Sequence, residues 1–320
     1  MARKKNVRIE LLATGFALGS CFVPLQAQAA SFSQIFVFGD SLSDTGNTFE
    51  ATGIPPSPPY FEERFSNGPV WVDYLAEDLG LSSDRRTNYA FGGATTGSNN
   101  NTLLPSGIPS LPGLQQQVDS FKATNTTADP NALYVVWAGA NDYLGGNITD
   151  PTVPVNNLTS TVSTLSDYGA KNVLVVNLPD LGRTPATSND RQIADNLNVL
   201  STFHNLELTN SLSILSQQND TNIISLDINS LFNRAIANPS EFGLTNVTDA
   251  CLTQAGVCSN PNEYLFWDDL HPTTVVHELV SEAALSGLDS KAVPEPTTGL
   301  GILALATLGA YSLCKGRVKI

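Results

Sequence analysis

Four short apolar runs constrain this chain more than any other feature. They are QIFVF (34–38), ALYVVWA (132–138), NVLVVNL (172–178) and NIISLDI (222–228). Each is nearly continuous instead of alternating, which is how strands buried on both faces read. Between them the apolar residues change to helical spacing. Val155, Leu158, Val162 and Leu165 do so in one segment; Ile193, Leu197, Leu200, Leu208, Leu212 and Leu215 do so between 190 and 218. A last helix is expected over 273–288, after His-Pro. Strands alternating with helices predict parallel βαβ units and a three-layer α/β sandwich. Ligands of such sheets bind beyond the carboxyl ends of the strands. Two stretches, IPPSPPYF (54–61) and TTGSNNNTLLPSGIPSLPG (95–113), are loops by composition. Loops that long in a compact domain are often functional.

Both ends have the composition of processing segments. Residues 1–29 have a basic head (Arg3, Lys4, Lys5, Arg8), an apolar stretch, and Ala27-Gln28-Ala29 as a small-x-small cleavage site. That pattern is a secretory signal peptide, so the protein is expected to be exported. LGSC at Cys21 weakly resembles a lipoprotein box. At the other end, 292–320 carry Pro294-Glu295-Pro296, an apolar run over 300–314, and Lys315, Arg317 and Lys319. The run is shorter than the ~20 apolar residues of a usual spanning helix. The pattern resembles the PEP-CTERM sorting signal of bacteria. That resemblance implies brief anchoring in the inner membrane, cutting by an exosortase-like enzyme, and delivery to the cell envelope or extracellular matrix. A permanent short transmembrane anchor is the alternative.

Between these ends, 30–291 form one domain of ordinary size. This body holds 9 Lys and Arg against 28 Asp and Glu, a net charge of −19. Such a body is not expected to bind nucleic acid through phosphates. Membrane contact is expected only through the terminal segments. Of four cysteines, the body keeps Cys251 and Cys258. In an oxidising compartment this spacing suggests a local disulfide. A zinc site needs further ligands nearby, and the sequence shows none.

The first strand ends in FVFGDSLSDTGNT (36–48), which places Ser41 at the mouth of any site. A strand-end serine alone usually caps a helix, so a base, an orienting acid and an oxyanion site are needed beside it. The chain has three histidines. His204 falls on the apolar stripe of the long helix and reads as a core residue. His277 lies within the last helix and is expected on its polar face. His271 lies in WDDLHP, three residues after Asp268, where a turn puts the carboxylate behind the imidazole. Asp269 is the competing orienter. NYAFGGATTG (88–97) offers unobstructed backbone N–H groups, and WAGAND (137–142) offers the Asn141 amide.

GDSLSDTGN, NYAFGGA, GAND and DDLHP stand in this order, and resemble the four signature blocks of the GDSL, or SGNH, hydrolases. RFSNGPVWVDYLA (64–76) also looks like the segment after the first block in bacterial and plant GDSL lipases and esterases. The resemblance covers 36–272. It implies Ser41 as nucleophile, His271 as base and Asp268 as its partner. It also implies an oxyanion hole from the N–H groups of Ser41 and Gly93 and the Asn141 side chain, with Gly92 as an alternative to Gly93. The implied fold is a flavodoxin-like three-layer α/β/α sandwich with a parallel five-stranded sheet. The absence of Gly-x-Ser-x-Gly around Ser41 separates it from the nucleophile elbow of α/β-hydrolases. The expected activity is hydrolysis of a lipid, a small acyl ester or an acylated glycan, without metal or organic cofactor. Alternatives are an acetyl-glycan esterase or an acyltransferase on the same site. Outside catalysis, SDTGNT superficially resembles a flavodoxin phosphate loop, and an inactive envelope adhesin is the last reading.

Overall fold

A computed structural model of the protein describes residues 31–292, apart from 83, 103 and 105–108. The leader read at 1–29 and the sorting motif and apolar run read in the tail lie outside the described residues. The four apolar runs form β1 (Ile35–Gly39), β2 (Leu133–Trp137), β3 (Asn172–Val176) and β4 (Asn222–Leu226). They pair in that order, all parallel. The helices are α1 (Asn47–Thr52), α2 (Trp71–Asp78), α3 (Leu114–Thr124), α4 (Ala140–Leu144), α5 (Thr152–Asp167), α6 (Pro185–Ser188), α7 (Arg191–Gln218), α8 (Ile228–Ala237) and α9 (Thr274–Ala292).

Successive strand residues point to opposite faces, so each run feeds two cores. Ile35, Val37, Val135 and Leu174 pack with Trp71, Leu75, Val280 and Ala284 of α2 and α9. Phe36, Phe38, Tyr134 and Val173 pack with Val118, Leu158, Val162 and Leu208 of α3, α5 and α7. Continuous apolar strands therefore become the middle of three layers. Phe121 of α3 lies edge-on to Phe36, Phe38 and Tyr134, with ring centroids 5.1 to 5.8 Å apart.

Three expectations need correcting. The main sheet has four strands, not five, among the described residues. The fifth place, beside β1, is taken by the segment around Asn88. Val37 N–H donates to the Thr87 carbonyl (2.9 Å), and Tyr89 and Phe91 N–H donate to Val37 (2.7 Å) and Gly39 (3.1 Å). Asn88 bends this segment, because its side chain accepts the Ala90 N–H (2.9 Å) and donates to the Ser43 carbonyl (2.7 Å). A single parallel bridge, Val37 with Asn88, remains. His277 is buried, not on a polar face, because α9 lays Val276, His277 and Val280 against α2. Its Nδ1 accepts the Trp71 N–H (3.3 Å), and burial holds the imidazole neutral, its pKa pushed down to about 3. Ile193 is half exposed although it lies on the expected stripe of α7; Leu197, Leu208 and Leu212 are buried as expected. His204 is a core residue, bonded through Nδ1 to the Tyr143 hydroxyl (2.9 Å).

After β4 the chain forms two small sheets, β5 (Asn246–Ala250) with β8 (Tyr264–Phe266), and β6 (Leu252–Thr253) with β7 (Gly256–Val257). Cys251 and Cys258 are joined in a disulfide around the β6–β7 hairpin. Among the described residues no helix is long and apolar enough to cross a membrane.

Candidate active site

Ser41 stands two residues beyond β1. The strand end is pinned by Gln117 of α3, which accepts the Gly39 N–H (2.9 Å) and donates to its carbonyl (2.8 Å). A Cβ at residue 39 would press into the Trp137 carbonyl of β2, so only glycine allows the approach. Asp40 then fixes the turn, as its carboxylate accepts the Leu42 N–H (3.1 Å). Burial pushes the Asp40 carboxyl up to about 7, against the pull of the Leu42 N–H and the His271 charge.

His271 lies in the turn between β8 and α9. One carboxylate organises that turn. Asp268 Oδ1 accepts the backbone N–H groups of Leu270 (2.8 Å) and His271 (2.7 Å), and the carboxylate also accepts from His271 Nδ1, at 2.7 Å to Oδ2. The competing acid, Asp269, is exposed. Nε2 faces Ser41, with its hydroxyl 2.8 Å away. Ser41, His271 and Asp268 thus form one hydrogen-bonded chain. Burial disfavours the charged forms of both partners. Mutual attraction and hydrogen bonds outweigh it, holding Asp268 down to about 2 and raising His271 above its usual 6.5.

The RFSNGP segment holds this turn from the other side. Ser66 Oγ donates to the Pro272 carbonyl (2.9 Å), and Asn67 accepts the Thr274 N–H (2.8 Å). Phe65 lies against the imidazole, ring centroids 5.1 Å apart. Tyr60, from the proline-rich loop, donates its hydroxyl to Asp268 Oδ2 (2.7 Å). Sequence reading identified neither aromatic ring as part of the site. The signals were the proline-rich loop at 54–61 for Tyr60 and the resemblance of 64–76 for Phe65.

The Gly92 or Gly93 alternative turns on Asp44. This buried carboxylate accepts N–H groups from Gly46 (2.8 Å), Asn47 (2.7 Å) and Thr48 (3.1 Å), and from Gly92 (3.0 Å). The Gly92 N–H also meets Thr48 Oγ1 (2.7 Å). It is therefore committed to the scaffold, while Gly93 lines the cavity beside Ser41. Gly93 has a positive φ of 73°, and a Cβ there would meet Thr102 and Asn100. The same Asp44 bonds remove the flavodoxin-like reading. The carboxylate already holds the loop N–H groups that a phosphate would need, and like charge repels one.

Asn141 lies in the first turn of α4 and lines the same cavity. Its amide donates to the Ala94 carbonyl (3.1 Å), which orients the group and leaves its second N–H. Ser41, Gly93, Asn141 and His271 thus share one cavity of about 180 Å³ at the carboxyl ends of the strands.

This arrangement suits proton abstraction from a hydroxyl. A neutral imidazole is required, so protonating His271 should abolish the reaction. Because the His271 pKa is raised, kcat/KM should fall on the acid side of a midpoint above pH 6.5. Initial rates on a neutral ester across pH 4–9 check this, and a midpoint well below 6.5 would contradict it.

A family model described as GDSL-like Lipase/Acylhydrolase matches residues 35–284. The phosphatidylcholine-sterol acyltransferase of Aeromonas hydrophila is 31% identical over 326 residues, covering 84% of this chain and 95% of that protein. The acetylesterase of Thermothelomyces thermophilus is 30% identical over 302 residues, covering 86% of this chain and 94% of that one. Among solved structures, the inhibitor-bound aryl esterase of M. smegmatis aligns at 17% identity with a TM-score of 0.48, covering 80% of this chain and 98% of that one.

Proposed function

The chain belongs to the GDSL-like lipase/acylhydrolase family and is an ester-bond hydrolase, and on that premise we propose an exported serine esterase acting through Ser41, His271 and Asp268. The observation that carries this reading is the hydrogen-bonded chain from Asp268 through His271 to Ser41. His271 Nε2 takes the Ser41 proton as Oγ attacks the ester carbonyl carbon. Asp268 holds the imidazole tautomer and stabilises the imidazolium. The developing oxyanion is held by the N–H groups of Ser41 and Gly93 and by the second N–H of Asn141. His271 then protonates the departing alkoxide, and the acyl group stays on Ser41. Water, deprotonated by His271, attacks that acyl-enzyme, and Ser41 leaves with its proton restored. A serine-directed phosphonate should modify Ser41 alone and stop ester hydrolysis. Modification of another serine would overturn the assignment.

A second reading keeps the acyl-enzyme and hands the acyl group to an alcohol instead of water. The similarity to an acyltransferase supports it. Product analysis with and without added alcohol separates the two.

Export remains part of the proposal, resting on the leader at 1–29 and the Pro-Glu-Pro tail. The mature protein is expected to begin near Ala30 and end near Pro296. Intact mass of protein recovered from its native surface checks this. A mass that includes 315–320 would mean a permanent anchor.

A further inference from the structure

The cavity at Ser41 extends sideways, past the groups needed for chemistry. Its far wall is built by Leu144 after β2, by Leu178 and Leu181 after β3, and by Phe232 and Ile236 of α8 after β4. Leu178, Leu181 and Phe232 are themselves buried, so this wall is preformed. The carboxylate in it, Asp180, is tied to Arg183 (3.4 Å) and to the Asn229 amide (2.8 Å), so it does not claim a ligand cation. Gly93 lies on the other side of β1 in sheet order. A carbonyl held at Ser41 can therefore direct its oxygen toward Gly93 and Asn141, and its chain over the ends of β3 and β4.

We propose that this recess is an acyl-chain site, and that the enzyme prefers esters of medium-length fatty acids to acetyl esters; this rests on the serine-esterase reading. The whole cavity, the space at Ser41 included, is about 180 Å³, slightly larger than one known to hold benzene. It suits an acyl group of about four to six carbons. An acetyl group would leave it unfilled. Each methylene moved from water into such a wall gains a factor of about four at most.

The test uses purified protein and p-nitrophenyl esters from acetate to decanoate, so that only the acyl part varies. kcat/KM should rise by about ten-fold or more from acetate to hexanoate, as several buried methylenes imply, and stop rising once the chain outgrows the cavity. Leu144→Trp and Ile236→Trp, at two half-buried wall positions, should each lower the hexanoate-to-acetate ratio by a similar factor. That ratio does not depend on how much of a variant folds. Rates falling steadily from acetate, or a ratio that neither variant moves, would overturn the proposal. So would a rise seen only when acetates of longer alcohols are compared. A flat profile with Ser41 labelled by phosphonate removes this proposal alone. No turnover of any ester, with Ser41 unlabelled, removes the serine-esterase reading and this with it.

A different observation concerns Tyr60. Asp268 Oδ1 accepts two backbone N–H groups and lies 2.9 Å from His271 Nδ1, while Oδ2 is shared between His271 Nδ1, at the shorter 2.7 Å, and the Tyr60 hydroxyl. Tyr60 is braced edge-on by Phe65 and Trp267, with ring centroids 6.4 and 6.2 Å away. We infer that Tyr60 is a positioning residue, which orients Asp268 and draws off part of its charge. Tyr60→Phe keeps the ring contacts and removes only the donor. Without the Tyr60 donor Asp268 is less well oriented, so kcat should fall several-fold, while its undiluted charge holds the imidazolium more tightly and moves the acid limb of kcat/KM to higher pH. An unchanged kcat, or a fall with the acid limb unmoved, would overturn the assignment. Continued phosphonate labelling of Ser41 in this variant separates that failure from failure of the serine-esterase reading.

Discussion

Ser41→Ala is expected to reduce ester hydrolysis by roughly 10⁴- to 10⁶-fold, the range met when a serine nucleophile is removed from an acyl-enzyme mechanism. In the proposed mechanism Ser41 Oγ is the atom that bonds covalently to substrate, and it is the partner that faces His271 Nε2 (2.8 Å). The fold should survive. Ser41 is only partly buried, and the turn around it is built by the Asp40 side chain and the Gln117–Gly39 pair. Activity and thermal melting, measured together on an aryl ester, give the result. Near-full rate in a folded variant would require another nucleophile.

Asn141→Ala should lower kcat by about 10²- to 10³-fold, the usual cost of one oxyanion donor. The loss should appear in kcat because the bond strengthens only as charge develops on the carbonyl oxygen. The variant also strands the Ala94 carbonyl, which now accepts the Asn141 amide. An unsatisfied buried acceptor costs about 1–3 kcal/mol, so a modest drop in melting temperature is expected beside the kinetic effect. A change confined to KM would mean that Asn141 positions substrate in its ground state, and that the oxyanion is held elsewhere.

Much of this molecule is legible locally. The four strand runs, α5 and α7 emerge where the period of apolar residues predicts them, because burial on one face or two is written into neighbouring residues, and α9 emerges where it was expected after His-Pro. The turn that joins Asp268 to His271 is equally local, since one carboxylate caps two N–H groups two and three residues ahead. Reading failed where a residue's environment is made by a distant segment. His277 seemed exposed because its helix was read alone; α2 buries it. The fifth strand was expected from the resemblance, and Asn88 interrupts it by serving Ser43 and Ala90 instead of the ladder.

The sequence by itself determined the α/β architecture, the strand that carries Ser41, and the Asp268–His271 turn, because each depends on contacts within a few residues. Tertiary structure alone decided that His271 meets a serine 230 residues away. It also decided that Asp44 claims Gly92 and leaves Gly93 at the cavity, and that Tyr60 reaches Asp268 across 208 residues. The physical reason is that spacing along a chain encodes period and turn. Which donor meets which acceptor across the sheet is settled only when the layers pack and every buried polar group must find a partner.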